Sequence, residues 1–298
     1  MTDAIESVLD QTRGPVEIIV VDDGSSDGSV ALVERYAAAG QVVHIRHETN
    51  KGIAAARNTG VRAARGRYIG FLDQDDLWYK EKTARLLPVL ENDPNQEIGV
   101  VFSRVERRLL DTGAIEKRRV RIPSDIDRLG PDELISRLFL DDFVAIVSTL
   151  IRRECFDRVG FLDESIRSGS DDFELLVRIA HSYRFVFVDE TLAVRRLHTE
   201  SYTDVGKMIP AALAILEHTV SARPALAGIA AKARGRYLYM LARDLHSKKE
   251  YARAKQTYLE SLRVRPLYLK SLAGLLLCSS GRLGDALLSA LRSTTDRR

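Results

Sequence analysis

Residues 16–29 read VEIIVVDDGSSDGS. Val16 to Val21 is a near-continuous β-branched run, the pattern of a strand buried on both faces. The turn residues that follow end it abruptly. The same arrangement recurs at residues 68–76, YIGFLDQDD, a short apolar strand running into acids. Working outward, Ala4, Ile5, Val8 and Leu9 share a helical face before the first run, and Val30, Val33, Tyr36 and Ala37 share one after it. Val42 to His47 predicts a strand, Ile53, Ala56, Gly60 and Ala64 a helix with a small-residue face, and Glu97 to Ser103 another strand. This alternation predicts an α/β chain with a largely parallel sheet flanked by helices.

The middle of the chain changes character. Val100 to Leu110, the turn Asp111-Thr112-Gly113, and Ile115 to Ile122 predict a hairpin. Ser170 to His181 predicts a helix with Asp171 and Asp172 in its first turn, where acids suit the helix dipole. Tyr183 to Val188 and Thr191 to Arg196 predict two short strands. Beyond about Val205 the strand signals vanish. Met208–Val220, Ala225–His246, Glu250–Val264 and Leu267–Cys278 all carry helical periodicity. A single stretch vaguely like a tetratricopeptide helix pair does not make an array, which needs about three units.

With 298 residues and 45% apolar content, the chain can bury a sizeable core. Two cysteines, Cys155 and Cys278, are too few for a disulfide framework and fit a reducing compartment. No apolar run approaches the ~20 residues of a spanning helix, and the N-terminus lacks a signal-peptide pattern. The net charge of +3 hides an asymmetry. Residues 205–298 hold 17 basic and 6 acidic side chains, the rest 28 basic and 36 acidic. An acidic body suits cations. A basic tail is either a solvated face or a surface that meets anions such as lipid headgroups. The basic residues show no aromatic interleaving, which argues against nucleic acid.

Two acidic clusters follow directly on strands: Asp22-Asp23, and Asp73, Asp75 and Asp76. In an open α/β sheet, ligands bind outside the carboxyl ends of the strands, so both clusters should face one crevice. Crowded carboxylates repel; they either hold a cation or rise in pKa. A hard divalent cation, Mg²⁺ or Mn²⁺, takes oxygen ligands and commonly completes its shell with substrate phosphates. The competing reading is acids that cap the next helix. Asn50-Lys51-Gly52 leads into a helix bearing Arg57 and Asn58, which suits an anionic or nucleotide ligand or is an ordinary turn with a surface arginine.

VVDDGSSDGS, NKGIAAARNTG, FLDQDDLW and GFLDE followed by SDDFELLVRIA, in this order and spacing over about Thr2 to Thr203, resemble glycosyltransferase family 2, with its GT-A fold. The resemblance implies a GT-A catalytic domain over residues 1–204 and a basic helical region over 205–298. It implies a nucleotide-sugar donor, usually a UDP-sugar, inversion at the anomeric carbon, and a divalent cation. It implies that Asp23 bonds the nucleobase, that Arg57 helps hold the nucleotide, and that Asp75 and Asp76 lie nearest the metal with Asp73 towards the ribose. Asp172 takes the place of the general base. His198, in RRLHTES, takes that of a histidine near the diphosphate or metal. Trp78 either packs beneath the sugar or joins the core. The resemblance implies an apolar strand before the first helix, which these residues do not include; a gene start called too late, rather than a truncated chain or a decayed enzyme, is the expected reason.

The expected function is an inverting, metal-dependent hexosyl transfer to a glycan or glycolipid acceptor in cell-envelope polysaccharide or lipopolysaccharide synthesis. The expected place is the cytoplasm, with peripheral membrane contact through the basic tail. A nucleotidyltransferase would open on a Gly-rich basic loop, which is not seen. A catalytically impaired sugar-nucleotide-binding or scaffold protein is the alternative outside enzymes.

Overall fold

The computed structural model describes residues 1–116, 120–141, 143–167, 169–197 and 205–279. Helix α1 (Thr2–Leu9) turns Ala4, Ile5 and Val8 inward. β1 (Ile19–Asp22) pairs in parallel with β2 (Val43–Arg46), Ile19 opposite Val43, through α2 (Ser29–Ala38). Next come α3 (Ile53–Ala63), β3 (Tyr68–Ile69), β4 (Leu77–Trp78), α4 (Lys82–Glu91) and β5 (Ile98–Leu109). The rest of this region is α5 (Pro131–Asp141), β6 (Thr149–Arg152), α6 (Glu154–Val159), α7 (Asp171–Ala180) and β7 (Arg184–Leu197).

The larger sheet has five strands in the order β3-β6-β5-β7-β4, and β1 with β2 makes a second sheet of two. The α/β class is the one expected, but the pairing is mixed rather than largely parallel. β5 and β7 run parallel, whereas β6 opposes both β3 and β5, and β4 opposes β7. A continuous apolar run reports burial on both faces and says nothing of strand direction, so periodicity alone could not separate the two. Among the described residues β1 has one strand neighbour, β2.

Two expected elements differ. The hairpin at residues 100–122 reduces to the long strand β5, a turn and a single antiparallel bridge between Arg108 and Ile115, with residues 117–119 outside the description. The two short strands at 183–196 are one strand, β7. Its register against β5 jumps from Val188 to Thr191, so Asp189 and Glu190 form a bulge. A bulge leaves polar residues out of the ladder without ending the strand, and in the sequence it reads as a break.

The chain divides into two compact units, residues 1–116, 122–135 and 143–200 in one, and 117–121, 136–142 and 201–298 in the other. The first has a core around Leu86, Leu90, Val101, Leu150 and Leu192. The second contains α8 (Val205–Ala222), α9 (Ala227–Ser247), α10 (Tyr251–Val264) and α11 (Leu269–Ser279), with Ala242, Leu245, Ala254, Tyr258 and Cys278 buried together. Both cysteines are free and buried. Among the described residues no helix is long and apolar enough to cross a membrane.

Candidate functional site

The carboxyl end of β1 is built for a close approach. Gly24 has φ +80°, and a Cβ there would lie 2.9 Å from the backbone at Thr49 and Asn50. The loop after β1 therefore presses on the loop leading into α3, and only glycine fits. Asp22 accepts the Ser25 amide at 2.9 Å and faces Arg46 at 3.3 Å. Its role is to close the turn. Asp23 reaches across to the second loop. Its carboxylate accepts the amides of Lys51 at 2.9 Å and Gly52 at 2.7 Å, and meets His47 Nδ1 at 2.7 Å. Burial works to raise its pKa, but the two amides and His47 outweigh it and hold the group below the usual carboxylate range. His47 in turn meets Thr59 Oγ1 at 2.9 Å through its other ring nitrogen.

Helix α3 carries the centre of the site. Its buried small face (Ala54, Ala55) and Gly60, whose Cβ position lies 3.6 Å from Val21, seat it on β1. Arg57 Nη2 donates to both Asp73 oxygens at 2.9 and 3.2 Å, and Nη1 donates to Asp171 at 3.0 Å. Burial alone would lower the guanidinium pKa, but the negative charges of Asp73, Asp172 and Asp171 win and raise it. Arg57 thus joins the acids after β3 to the acids opening α7. Next to it, Asn58 is 1% exposed. Its amide donates to the Leu162 carbonyl at 2.9 Å and to Glu164 at 2.8 Å, and its oxygen accepts the Leu162 amide at 2.9 Å. From α7, Arg178 donates to the Gly160 and Phe161 carbonyls at 3.2 and 2.7 Å and pairs with Glu174. The GFLDE loop is held from both sides, which fixes where α7 begins.

The loop after β3 folds back at once. A Cβ at Gly70 would stand 2.7 Å from the Trp78 ring, and the Asp76 amide bonds the Asp73 carbonyl at 3.0 Å. Arg196 of β7 pins this loop. Its backbone amide donates to Asp76 at 2.9 Å, its guanidinium donates to the Asp75 carbonyl, and it pairs with Asp3 at 2.7 Å. Asp76 is 4% exposed. Burial, reinforced by the charges of Asp75 and Asp73, pushes its pKa up to about 7 despite the Arg196 amide and Arg195. Among the described residues no three His, Cys, Asp or Glu side chains converge in metal-holding geometry. The donor set nonetheless suits a hard cation. Three carboxylates share one turn, and a divalent ion bound there would offset both the burial of Asp76 and the repulsion from Asp75 and Asp73 that disfavour its charged form.

Of the residues named from the sequence, Asp73, Arg57 and Asp171 come together directly, with Asp172 near enough for its charge to act on Arg57 and Asp75 and Asp76 on the same turn as Asp73. Asp23 sits at the neighbouring loop. His198 lies outside the described residues. Trp78 belongs to the core: it is 8% exposed, packs with Val8, Val147 and Ala193, and donates from Nε1 to the Val147 carbonyl at 2.9 Å. Sequence reasoning missed Arg196, for which the adjacent RR pair carries no signal. Asn58, read with Arg57 on a helix suited to an anionic ligand, has its side chain spent inside the protein instead.

A mixed sheet flanked by helices, with acids in the loops after β1 and β3 and Arg57 of α3 facing Asp73, fits the GT-A fold of nucleotide-sugar transferases. The structure matches a crystal structure of S. aureus TarS, residues 1–349, in complex with UDP. The TM-score is 0.58 and the identity 18%, over 99% of this chain and 84% of that one. It also matches the mannosyltransferase PcManGT from Pyrobaculum calidifontis in complex with GDP-Man and Mn²⁺. There the TM-score is 0.60 and the identity 20%, over 98% of this chain and 75% of that one. The family model for glycosyl transferase family 2 matches residues 1–159, and the chain belongs to that family. A relative in Bacillus subtilis (strain 168), the uncharacterized glycosyltransferase EpsJ, is 33% identical over 207 residues. That match takes in 68% of this chain and 59% of EpsJ, so the chain spans about three-fifths of this relative.

Proposed function

We propose that the protein transfers a sugar from a nucleotide-sugar donor, a UDP-sugar, to a hydroxyl of a glycan or glycolipid acceptor, inverting the anomeric carbon, in the synthesis of a cell-envelope polysaccharide or lipopolysaccharide. Residues 1–204 form the catalytic domain in this reading and residues 205–298 an accessory basic region. The observation that carries it is the Arg57 fork, which ties Asp73 to Asp171 and so brings the start of α7, where Asp172 sits, to the acidic turn. An acceptor hydroxyl is a poor nucleophile until a carboxylate within reach takes its proton as the new bond forms. Asp172, half-buried at the start of α7, is that base. Inversion requires base and leaving group on opposite sides of the sugar, and the two acidic segments come from distant parts of the chain.

Asp75 and Asp76 would hold a divalent cation, Mn²⁺ or Mg²⁺, with Asp73 beside them. Such a cation supplies charge neutralisation for a diphosphate leaving group. Arg57 contributes a fixed positive charge, and His198 adds to it in this reading. Asp23, kept ionised by the Lys51 and Gly52 amides, offers an acceptor to an N–H of the nucleobase. A UDP-bound and a GDP-mannose-bound neighbour share the fold, so the nucleotide is itself part of the test.

The test is a nucleoside diphosphate release screen across common UDP-, GDP- and dTDP-sugars, with Mn²⁺ and with chelator, on the wild type and on Asp172→Asn. Release that requires a divalent ion and is lost in D172N, while donor binding survives, supports the reading. Metal-dependent donor binding without release from the wild type, acceptors included, indicates an impaired enzyme. No metal-dependent nucleotide binding at all favours the scaffold alternative.

A further inference from the structure

Helix α11 is packed inside out. Its buried positions are Ser271, Gly274 and Cys278, one face at helical spacing. Ser271 Oγ meets Ser261 Oγ at 2.7 Å, and Cys278 Sγ contacts the Tyr251 carbonyl at 3.6 Å. Gly274 lies so close to Tyr258 that a Cβ would stand 2.4 Å from the ring. The small residues face α10 because only they allow this approach. The opposite face then carries the leucines outward: Leu269 is 73% exposed, Leu272 45% and Leu276 64%, and Leu267 just before the helix is 89% exposed. An amphipathic helix normally does the reverse. Clustered exposed leucines of this kind mark a surface that another apolar phase covers.

The charge around this face selects the phase. Residues 265–279, RPLYLKSLAGLLLCS, contain Arg265 and Lys270 and no acid. Over residues 205–279 there are 13 Lys and Arg against 4 Asp and Glu. A second copy would bring the same positive excess against itself. Residues 280–298 hold four arginines and two aspartates, again the same sign. A partner that is both apolar and negatively charged fits, and an anionic bilayer surface is both. With no described helix able to span, the contact is interfacial.

We propose that the leucine face of α11, in a segment whose charges, Arg265 and Lys270, are all positive, seats the protein on anionic lipid. The helix lies in the headgroup region, its leucines entering the acyl boundary and the basic side chains meeting lipid phosphates. This assignment does not depend on the reading of the acidic site.

The experiment is flotation of the full-length protein with vesicles of phosphatidylglycerol and phosphatidylcholine, against phosphatidylcholine alone, at low and high salt. The variants are Leu269→Gln/Leu272→Gln/Leu276→Gln and, as a conservative control, the same three positions changed to Met. All three leucines are exposed, so the melting temperature should hold, and Leu276→Gln alone serves if the triple variant unfolds. The expected result is wild-type binding to the anionic vesicles that weakens with salt, a loss of about tenfold in the Gln variant, and retention in the Met variant. The proposal is overturned by any of three results. One is no wild-type binding to anionic vesicles at low salt. Another is equal binding by wild type and Gln variant, which would place the contact elsewhere, residues 280–298 included. The third is a dimer that the Gln variant dissolves without any vesicle binding, which would make the face a self-interface.

Discussion

Arg57 Nη1 and Asp171 Oδ2 stand 3.0 Å apart, with side chains only 11% and 2% exposed. The two residues are 114 positions apart in the chain. Their pairing is one of the ties that bring the start of α7 to the turn after β3. Breaking a buried pair by removing one partner typically costs about 3–5 kcal/mol, because the remaining charge is stranded. Arg57→Ala is therefore expected to lose stability on that scale in urea denaturation. Arg57→Lys keeps the charge but loses the fork, so it cannot serve Asp73 and Asp171 together. It should fold, yet bind donor more weakly than the wild type. An Arg57→Ala variant within about 1 kcal/mol of wild type would contradict the buried pairing.

The sequence disclosed the elements of this arrangement but not their joins. Strands followed by acids were plain at VEIIVVDD and YIGFLDQDD from their apolar runs, but burial on both faces did not hold for the first: β1 begins at Ile19, Ile19 to Val21 are half-buried and Val16 is 84% exposed, and β3 ends at Ile69. The four C-terminal helices were plain from their helical periodicity. What could not be read was pairing. The antiparallel course of β6, the bulge at Asp189-Glu190 and the grip of Arg196 on the acidic turn are relations between distant segments, and periodicity is a local signal. Trp78 shows the limit well: its place after the acids suited a sugar platform and a core anchor equally, and only Gly70 and the Val147 carbonyl decide for the core.

Asn58 offers a sharper test of the second tie. Its side chain satisfies both the amide and the carbonyl of Leu162 in a buried setting. Asn58→Ala orphans two backbone groups, each costing about 1–3 kcal/mol. Asn58→Asp keeps the acceptor but loses the donor and sets a carboxylate against Glu164, which now sits 2.8 Å from the amide nitrogen. The expected order of stability is wild type above both variants. Hydrogen exchange should rise over residues 160–165 in each, and unchanged exchange there would refute the tie.

Among the described glycines of the helical unit, Gly274 has the least room. The Cβ of Gly274→Ala would need Tyr258 to move, since its Cε1 and Cζ both lie 2.4 Å from that point. The ring is fully buried and has packed neighbours on its other side in Tyr239 and His246. Overpacking of this kind costs about 1–3 kcal/mol, against the modest gain alanine brings to a helix. Thermal denaturation should show a net loss. A stabilised variant would mean that α11 does not sit as close to α10 as described.

Lys82 gives the fold a pH dependence of its own. Its ammonium group is fully buried, with Nζ 2.9 Å from the Thr149 carbonyl and 3.8 Å from the Trp78 ring centroid. The ring favours the charged form by about 0.5–2 kcal/mol, whereas desolvation of an ammonium costs several kcal/mol. Desolvation wins, and the pKa falls well below its ordinary 10.5. Between the folded and unfolded pKa values the unfolded chain therefore holds a proton that the folded chain lacks. Stability rises with pH through that window, by at most about 1.4 kcal/mol per pH unit, and levels off near 10.5. Lys82→Met keeps the length and removes the proton, at the loss of one hydrogen bond. Compared by urea denaturation at neutral and at alkaline pH, K82M should gain on the wild type at neutral pH, and that relative gain should shrink as the pH climbs. Parallel pH profiles for the two proteins would mean that Lys82 stays charged in the fold, with the Thr149 carbonyl and the Trp78 face together outweighing the loss of water.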